Sequence, residues 1–271
     1  MSGIKEIKGG VCAARGFKAA AAAGNIKYSG RDDVMLIVAS KPCSAAGVFT
    51  TNRVAAAPVV FDREQIKGGV LQAILANSGC ANACTGPDGL RDAELSAKAT
   101  AGELGISPAH VAVASTGVIG RRLPVERLLA GMKTCAGALG RSPELSERCA
   151  RAIMTTDTKP KEAAVEATVG GKKIRVGGIC KGSGMIEPNM ATMLGFITTD
   201  AAISPGMLRR ALKSAIEVSF NRVVVDGDES TNDTVLVMAS GEAHNETISR
   251  SGDDYRAFTE ALARVGTSLA R

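Results

Sequence analysis

The chain has 271 residues, 45% hydrophobic and 22% charged, which places it among globular proteins and excludes a disordered or fibrous chain. Its net charge is +6 and its pI about 9.0, but basic residues are interspersed with acidic ones, and only two tyrosines and six phenylalanines are present for stacking on bases; this composition speaks against nucleic acid as a partner. The length suffices for a sizeable core in one large domain or two, built from Ala, Val, Ile, Leu and Met because Trp is absent.

In chain order, the alanine run at 19–23 is too short and too weakly apolar for a signal or a membrane span, so no membrane is expected. Apolar, β-rich runs at 34–39, 47–51, 58–61 and 70–76 are separated by Gly, Pro, Asn or Ser and read as strands with short turns. Cys80 and Cys84 are spaced C-x3-C, but a zinc site wants a second close ligand pair, and His110 and His244 are remote in sequence. Cys80 and Cys84 are therefore expected as small buried thiols with no metal, and the seven cysteines as reduced in a cytoplasm. Residues 87–104 carry helical spacing, with Asp88 as a cap at the start. A strand at 111–114 then delivers Ser115-Thr116-Gly117. Residues 124–139 and 144–154 read as helices, with Pro124 in the first turn of the former.

Residues 164–169 and 173–179 flank Gly170-Gly171 and read as a hairpin. A strand is expected at 192–198. Residues 205–220 form an amphipathic helix in which Leu208, Leu212, Ala215, Ile216 and Ser219 share a face. Short runs at 223–225 and 234–239 flank an acidic loop. That loop reads as structural, without a catalytic role, and its spacing does not fit an EF-hand. A last helix at 253–270 places Phe258, Ala261, Leu262, Val265 and Leu269 on one side.

The most informative stretch is Lys181-Gly182-Ser183-Gly184-Met185-Ile186-Glu187-Pro188-Asn189-Met190-Ala191-Thr192-Met193-Leu194. Two glycines permit unusual backbone, Pro188-Asn189 marks a turn, and the run from Met193 to Ile197 reads as a buried strand. Thr192 thus stands where a loop meets a rigid element, a geometry that suits a placed nucleophile and equally an ordinary loop-to-strand junction.

This stretch resembles the self-cleavage site of the ornithine acetyltransferase family, also called the bifunctional glutamate N-acetyltransferase family. The likeness extends to Gly9-Gly10-Val11 through Gly16-Phe17, to Asn77-Ser78-Gly79-Cys80-Ala81-Asn82-Ala83 with Thr85-Gly86, and to Ser115-Thr116-Gly117-Val118-Ile119-Gly120. It continues in Met154-Thr155-Thr156-Asp157-Thr158 and in Asp226-Gly227-Asp228 to Asn232-Asp233-Thr234, where Glu229 departs from the family's usual small hydroxyl residue.

The resemblance implies an α/β fold of layered sheets packed between helices, shared with a group of self-processing aminopeptidases. It implies cleavage between Ala191 and Thr192 into an α chain (1–191) that carries the oxyanion loop and a β chain (192–271), assembled as two α and two β. It makes Thr192 the nucleophile, Thr116 and Gly117 the oxyanion hole, and Thr158, Lys181 and Thr192 the substrate contacts. The implied reaction moves the acetyl group of N-acetylornithine to glutamate in cytoplasmic arginine biosynthesis, without metal or organic cofactor; some members also take acetyl-CoA as a substrate. Family members are longer, so the chain is expected to lack their C-terminal part. Two alternatives remain from the sequence: a related N-terminal-nucleophile amidase or aminopeptidase, and an inactive remnant.

The chemistry explains the residue types. A threonine hydroxyl is a weak nucleophile and needs a base. Cleavage before Thr192 would supply one, because a free α-amine has a pKa of about 7.7–8.0 whereas the uncut amide accepts no proton. Acyl transfer builds charge on a carbonyl oxygen, and one fixed donor aimed there contributes about 3–4 kcal/mol. Thr116 offers a hydroxyl and Gly117 an amide that no side chain shields.

Overall fold

The computed structural model describes residues 3–182, 193–222 and 230–271. Among the described residues nine strands form one hydrogen-bonded sheet: β1 (Lys5–Ile7), β2 (Phe17–Ala22), β3 (Val34–Phe49), β4 (Val70–Asn77), β5 (Val111–Ser115), β6 (Lys161–Val169), β7 (Lys172–Lys181), β8 (Leu194–Thr199) and β9 (Thr234–Ala239). The helices among the described residues are α1 (Ala57–Gln65), α2 (Gly86–Leu104), α3 (Val125–Gly137), α4 (Pro143–Ala152), α5 (Pro205–Glu217) and α6 (Asp253–Ala270). Strand order is β1-β6-β7-β8-β9-β3-β4-β5, with β2 also paired to β3. The pairs β4–β5 and β8–β9 are parallel and the rest antiparallel. Each parallel pair is connected through a helix, α2 and α5 respectively, as a parallel connection requires.

Strand β3 organises the sheet. Its first part pairs with β2 and β4, and its second part, Ser44 to Phe49, pairs with β9. Between them the register to β4 shifts from Val38 to Cys43, around exposed Lys41 and Pro42. Proline lacks the amide proton a ladder needs and is tolerated in strands at such irregularities. The two parts form two leaves, and side-chain alternation gives each leaf an inner and an outer face. Met35, Ile37, Leu71, Ile74, Ala112 and Ala114 meet Ile179, Leu194, Phe196, Leu236 and Met238 in one shared inner core. The outer face of β6–β9 is covered by α5 and α6, through Leu208, Leu212, Phe258, Leu262 and Val265. The outer face of β2–β5 is covered by α2 and α3, through Ala93, Ala97, Leu128 and Met132. This is the expected α/β fold of layered sheets between helices.

Local chemistry accounts for most elements. Ser142 caps α4 by accepting from the Leu145 amide at 3.3 Å, with Pro143 starting the helix. The hairpin β6–β7 closes over Gly170-Gly171, both at positive φ, with Val169 opposite Lys172. Helix α6 buries Phe258, Ala261, Leu262, Val265 and Leu269, and each large side chain taken from water contributes about 1.5–3 kcal/mol. Helix α5 buries the predicted face, Leu208, Leu212, Ala215 and Ile216.

Several expectations are corrected. Residues 58–61 are not a strand; they lie in α1, where Pro58 takes an early helical position and Asp62, Arg63, Glu64 and Gln65 continue the turns. The runs at 34–39 and 47–51 are not separate strands but parts of β3. The alanine run belongs to β2, a strand that α3 and α4 approach closely enough to favour small side chains. Thr85, not Asp88, stands at the N-cap of α2, and Asp88 lies in the first turn. Pro124 is the N-cap residue of α3 rather than part of its first turn. The run at 223–225 and the acidic stretch through Glu229 lie outside the described residues. No described helix is long and apolar enough to cross a membrane.

The inner layer is close enough to be tested at one glycine. A Cβ on Gly177 of β7 would collide with the Gly10 carbonyl oxygen, a backbone atom that cannot rotate away. Gly102, on the exposed side of α2, has open space around such an atom. G177A is expected to lower stability by about 1–3 kcal/mol or more, whereas G102A should raise it by about 0.5–1 kcal/mol. Urea denaturation of both variants checks the pair; equal effects would contradict the packing described for β7.

Candidate active site

Strands β4 and β5 run side by side and end together, with Asn77 opposite Ser115. The loops that leave them are laced into one another: Cys80 bridges to Thr116 and Val118, and Ala81 N donates to Val118 O at 3.0 Å. Asn77 holds the junction, since its carboxamide oxygen accepts from Ser115 Oγ at 2.7 Å and its nitrogen donates to Cys80 O at 3.0 Å. Thr116 is buried, and its amide donates to Asn77 O at 3.0 Å. Gly117 has φ +133°, and a side chain there would run into the Gly79–Cys80 backbone, so only glycine fits. Val118 N donates to Gly79 O at 3.4 Å, while the amide between these two, that of Gly117, donates to no acceptor among the described residues. A rigid loop that leaves one N–H unused is what an oxyanion donor requires.

Strand β5 ends the strand order, so one of its edges meets no further strand among the described residues. Side chains bond it instead. Asp62 Oδ1 accepts from Val113 N at 2.9 Å, and Gln65 Nε2 donates to Val111 O at 3.1 Å. Burial pushes the Asp62 carboxyl well up, against the pull of the Val113 N–H. Asn232 Nδ2 donates to Ser115 O at 2.8 Å and to Ala81 O at 2.7 Å.

Lys181 closes β7 opposite Leu194 of β8. It is 3% exposed, and its Nζ donates to Thr155 Oγ1 at 3.3 Å. Burial depresses its amine below the ordinary lysine value, and Asp157 and Asp233 partly restore it. The same two carboxylates hold the chain on either side of residues 183–192. Asp157 Oδ1 accepts from Gly182 N at 2.7 Å, and Asp233 Oδ1 accepts from Met193 N at 2.7 Å. Lys161 Nζ donates to Gly182 O at 3.0 Å, and Thr234 N to Met193 O at 3.0 Å.

The structure ties the loop of Thr116 and Gly117 to Asn232, whose chain neighbour Asp233 is one of the two carboxylates that act on Lys181. Thr158 lies exposed in the connection from α4 to β6, three positions beyond Thr155. Ala191 and Thr192 lie outside the described residues, while Met193, the residue after Thr192, is pinned as stated. Cys80 is the buried thiol expected from the sequence, whereas Cys84 is exposed, which corrects that expectation. Sequence reading missed Asn77, Asp157, Asn232 and Asp233 as site residues. The available signal was the polar pair Asn232-Asp233 placed directly before the apolar run of β9, a pair that the sequence had assigned to a structural loop.

The double-leaf arrangement defines a class. The L-aminopeptidase D-Ala-esterase/amidase of Ochrobactrum anthropi, described as a variant of the Ntn hydrolase fold, matches 98% of this chain and 87% of its own with a TM-score of 0.58 at 12% identity, so the two share the fold. Within that class the chain belongs to the ArgJ family, which it matches over residues 18–271. The arginine biosynthesis bifunctional protein ArgJ of Symbiobacterium thermophilum is 54% identical over 99% of this chain and 67% of its own length. The ornithine acetyltransferase of Mycobacterium tuberculosis, solved with ornithine, is 39% identical with a TM-score of 0.64, covering 70% of this chain and 100% of that chain. The chain spans about two thirds of the length of the curated relatives it matches, 62–67% for the first four.

The buried lysine gives a pH test. With its amine depressed in the folded state, the unfolded chain binds the extra proton between the folded value and the ordinary value of 10.5. Stability contributed at this position must therefore rise with pH through that window. The urea stability of wild type relative to K181M is expected to increase as pH rises toward 10.5 on the alkaline side, where the unfolded lysine still holds the proton that the folded one has lost. A constant difference would place the Lys181 amine at its ordinary value.

Proposed function

We propose that the chain is a self-processing acetyltransferase of arginine biosynthesis that moves an acetyl group from N-acetylornithine to glutamate. The observation that carries the reading is the convergence of the site on one junction in an ArgJ-family chain. Asn232 bonds the Thr116–Gly117 loop, and its chain neighbour Asp233 both accepts from the amide that follows Thr192 and acts by its charge on Lys181. The length of the Mycobacterium tuberculosis chain supports it further: the whole of that chain corresponds to 70% of this one, about 190 residues, the size of the segment before Thr192.

In this reading the Ala191–Thr192 bond is cut, and the new α-amine serves as base. Thr192 Oγ loses its proton to that amine and attacks the acetyl carbonyl of N-acetylornithine. Charge on the carbonyl oxygen is met by the Thr116 hydroxyl and the Gly117 N–H. The acetyl C–N bond breaks, ornithine leaves with the proton, and an ester joins the acetyl group to Thr192. The amine of glutamate attacks that ester, the C–O bond breaks, and Thr192 regains its proton. Lys181 binds a substrate carboxylate, and Thr158 and Thr192 complete the contacts. The nucleophile carries the acetyl group, so no cofactor is needed. The fragments 1–191 and 192–271 stay together through the shared inner core and assemble as two α and two β in the cytoplasm.

A denaturing gel and an acetyl-transfer assay test this. Wild type should give two bands, the smaller beginning Thr-Met-Leu-Gly, and T192A a single band without transfer. T116A should lower kcat by about 10²–10³-fold with little change in KM, since an oxyanion donor acts in the transition state. A higher KM at unchanged kcat would make Thr116 a binding residue instead. Acetate released without glutamate would identify a hydrolase. Acetyl-CoA in place of N-acetylornithine asks for the second donor.

A further inference from the structure

Beyond the nucleophile and the oxyanion donors, one buried carboxamide governs the shape of the oxyanion loop. Asn232 is 7% exposed and lies outside the sheet, two residues before β9. Both bonds of its Nδ2 reach the other leaf, to Ala81 O and Ser115 O. Its Oδ1 accepts from Thr231 Oγ1 at 2.6 Å, which fixes the orientation of the amide. The carbonyl of Ser115 and the amide of Thr116 belong to one planar peptide unit. Asn232 holds the oxygen end of that unit, and Asn77 O holds the nitrogen end at 3.0 Å. With the plane fixed at both ends, the rotations that follow it aim the Thr116 hydroxyl and the Gly117 N–H. The second bond acts on the same loop, because the residue that offers Ala81 O also donates its own N–H to Val118 O.

We infer that Asn232 is a positioning residue for the oxyanion hole, acting through the Ser115–Thr116 peptide and through Ala81. The sequence reading assigned the loop it ends to structure alone. The inference rests on the acetyl-transfer reading of the site. Asn232 touches no reacting atom in that scheme. It sets where the donors lie, and a displacement of about 1 Å in a catalytic group can cost on the order of 10²-fold in rate.

A matched control exists within the chain. Asn245 is likewise 7% exposed, and its Nδ2 donates to Ala202 O and Glu246 O at 3.1 and 2.7 Å, remote from the loop. N232A and N245A each remove two amide-to-carbonyl bonds, so a purely structural role predicts the same consequence for both. The experiment compares kcat, KM and melting temperature for wild type, N232A, N245A, T116A and N232A/T116A, all as the full chain. N232A should lower kcat by about 10²-fold with KM within about twofold, while N245A, at a comparable loss of melting temperature, keeps the wild-type kcat. In the T116A background N232A should cost far less than alone, because part of what it aims is already gone. If N232A does not fold, N232S, which keeps one hydroxyl donor, takes its place in the same cycle. An unchanged kcat in N232A, an equal loss in N245A, or fully additive losses with T116A overturns the inference while wild type still transfers acetyl. A wild-type chain that neither cleaves nor transfers overturns the reading of the site, and the inference with it.

Discussion

The bend in β3 is the constraint on which the rest depends. Drawn straight, its 16 residues would hold Val34 and Phe49 roughly 50 Å apart at about 3.3 Å per residue. Val34 pairs with Asn77, which pairs with Ser115; Phe49 pairs with Thr234, two residues after Asn232. Yet Asn232 donates directly to Ser115 O. Only a strand folded back on itself allows that bond. The register shift at Val38–Cys43 supplies the fold, and the inner core of Met35, Ile37, Phe196, Leu236 and Met238 holds the leaves together. The Thr116–Gly117 loop comes from one leaf and the strand after Thr192 from the other, so the candidate site exists because the leaves close.

Where the leaves meet, the interior is polar and has to be satisfied. A buried amine without partners would shed its charge or destabilise the fold. Lys181 has a threonine hydroxyl and two carboxylates around it, and those carboxylates also bind the backbone amides of Gly182 and Met193. One set of charges thereby balances the lysine and anchors Gly182 and Met193, on either side of residues 183–192. Surface pairs such as Lys67–Glu64 and Lys98–Glu94 are well exposed and add little by comparison. The buried cysteines belong to packing: burial pushes the thiols of Cys43, Cys135 and Cys180 up to about 12, which keeps them protonated and unreactive.

The fold survives in a relative with only 12% identity, as layered cores do when the pattern of inward and outward side chains is kept. Shared fold at that distance says nothing of the reaction. The proposed reaction rests instead on Thr116, Gly117 and Lys181 and on membership of the ArgJ family over residues 18–271.

Local signals in the sequence determined α2, α3, α4, α5, α6 and the β6–β7 hairpin, because periodic apolar faces and a Gly-Gly turn act over a few residues. The Ser115-Thr116-Gly117 loop at the end of β5 was likewise legible, since it is contiguous with the strand that delivers it. The sequence could not show that 34–39 and 47–51 form one bent strand, nor that an alanine run is a strand, because neighbours from other parts of the chain impose both. For the same reason it assigned Asn232 and Asp233 to a structural loop. What these side chains bond, Ser115 O, Ala81 O and Met193 N, lies 117, 151 and 40 residues away. Propensity is a property of neighbours along the chain, whereas a buried hydrogen bond is a property of neighbours in space, and only the closing of the two leaves made these residues neighbours.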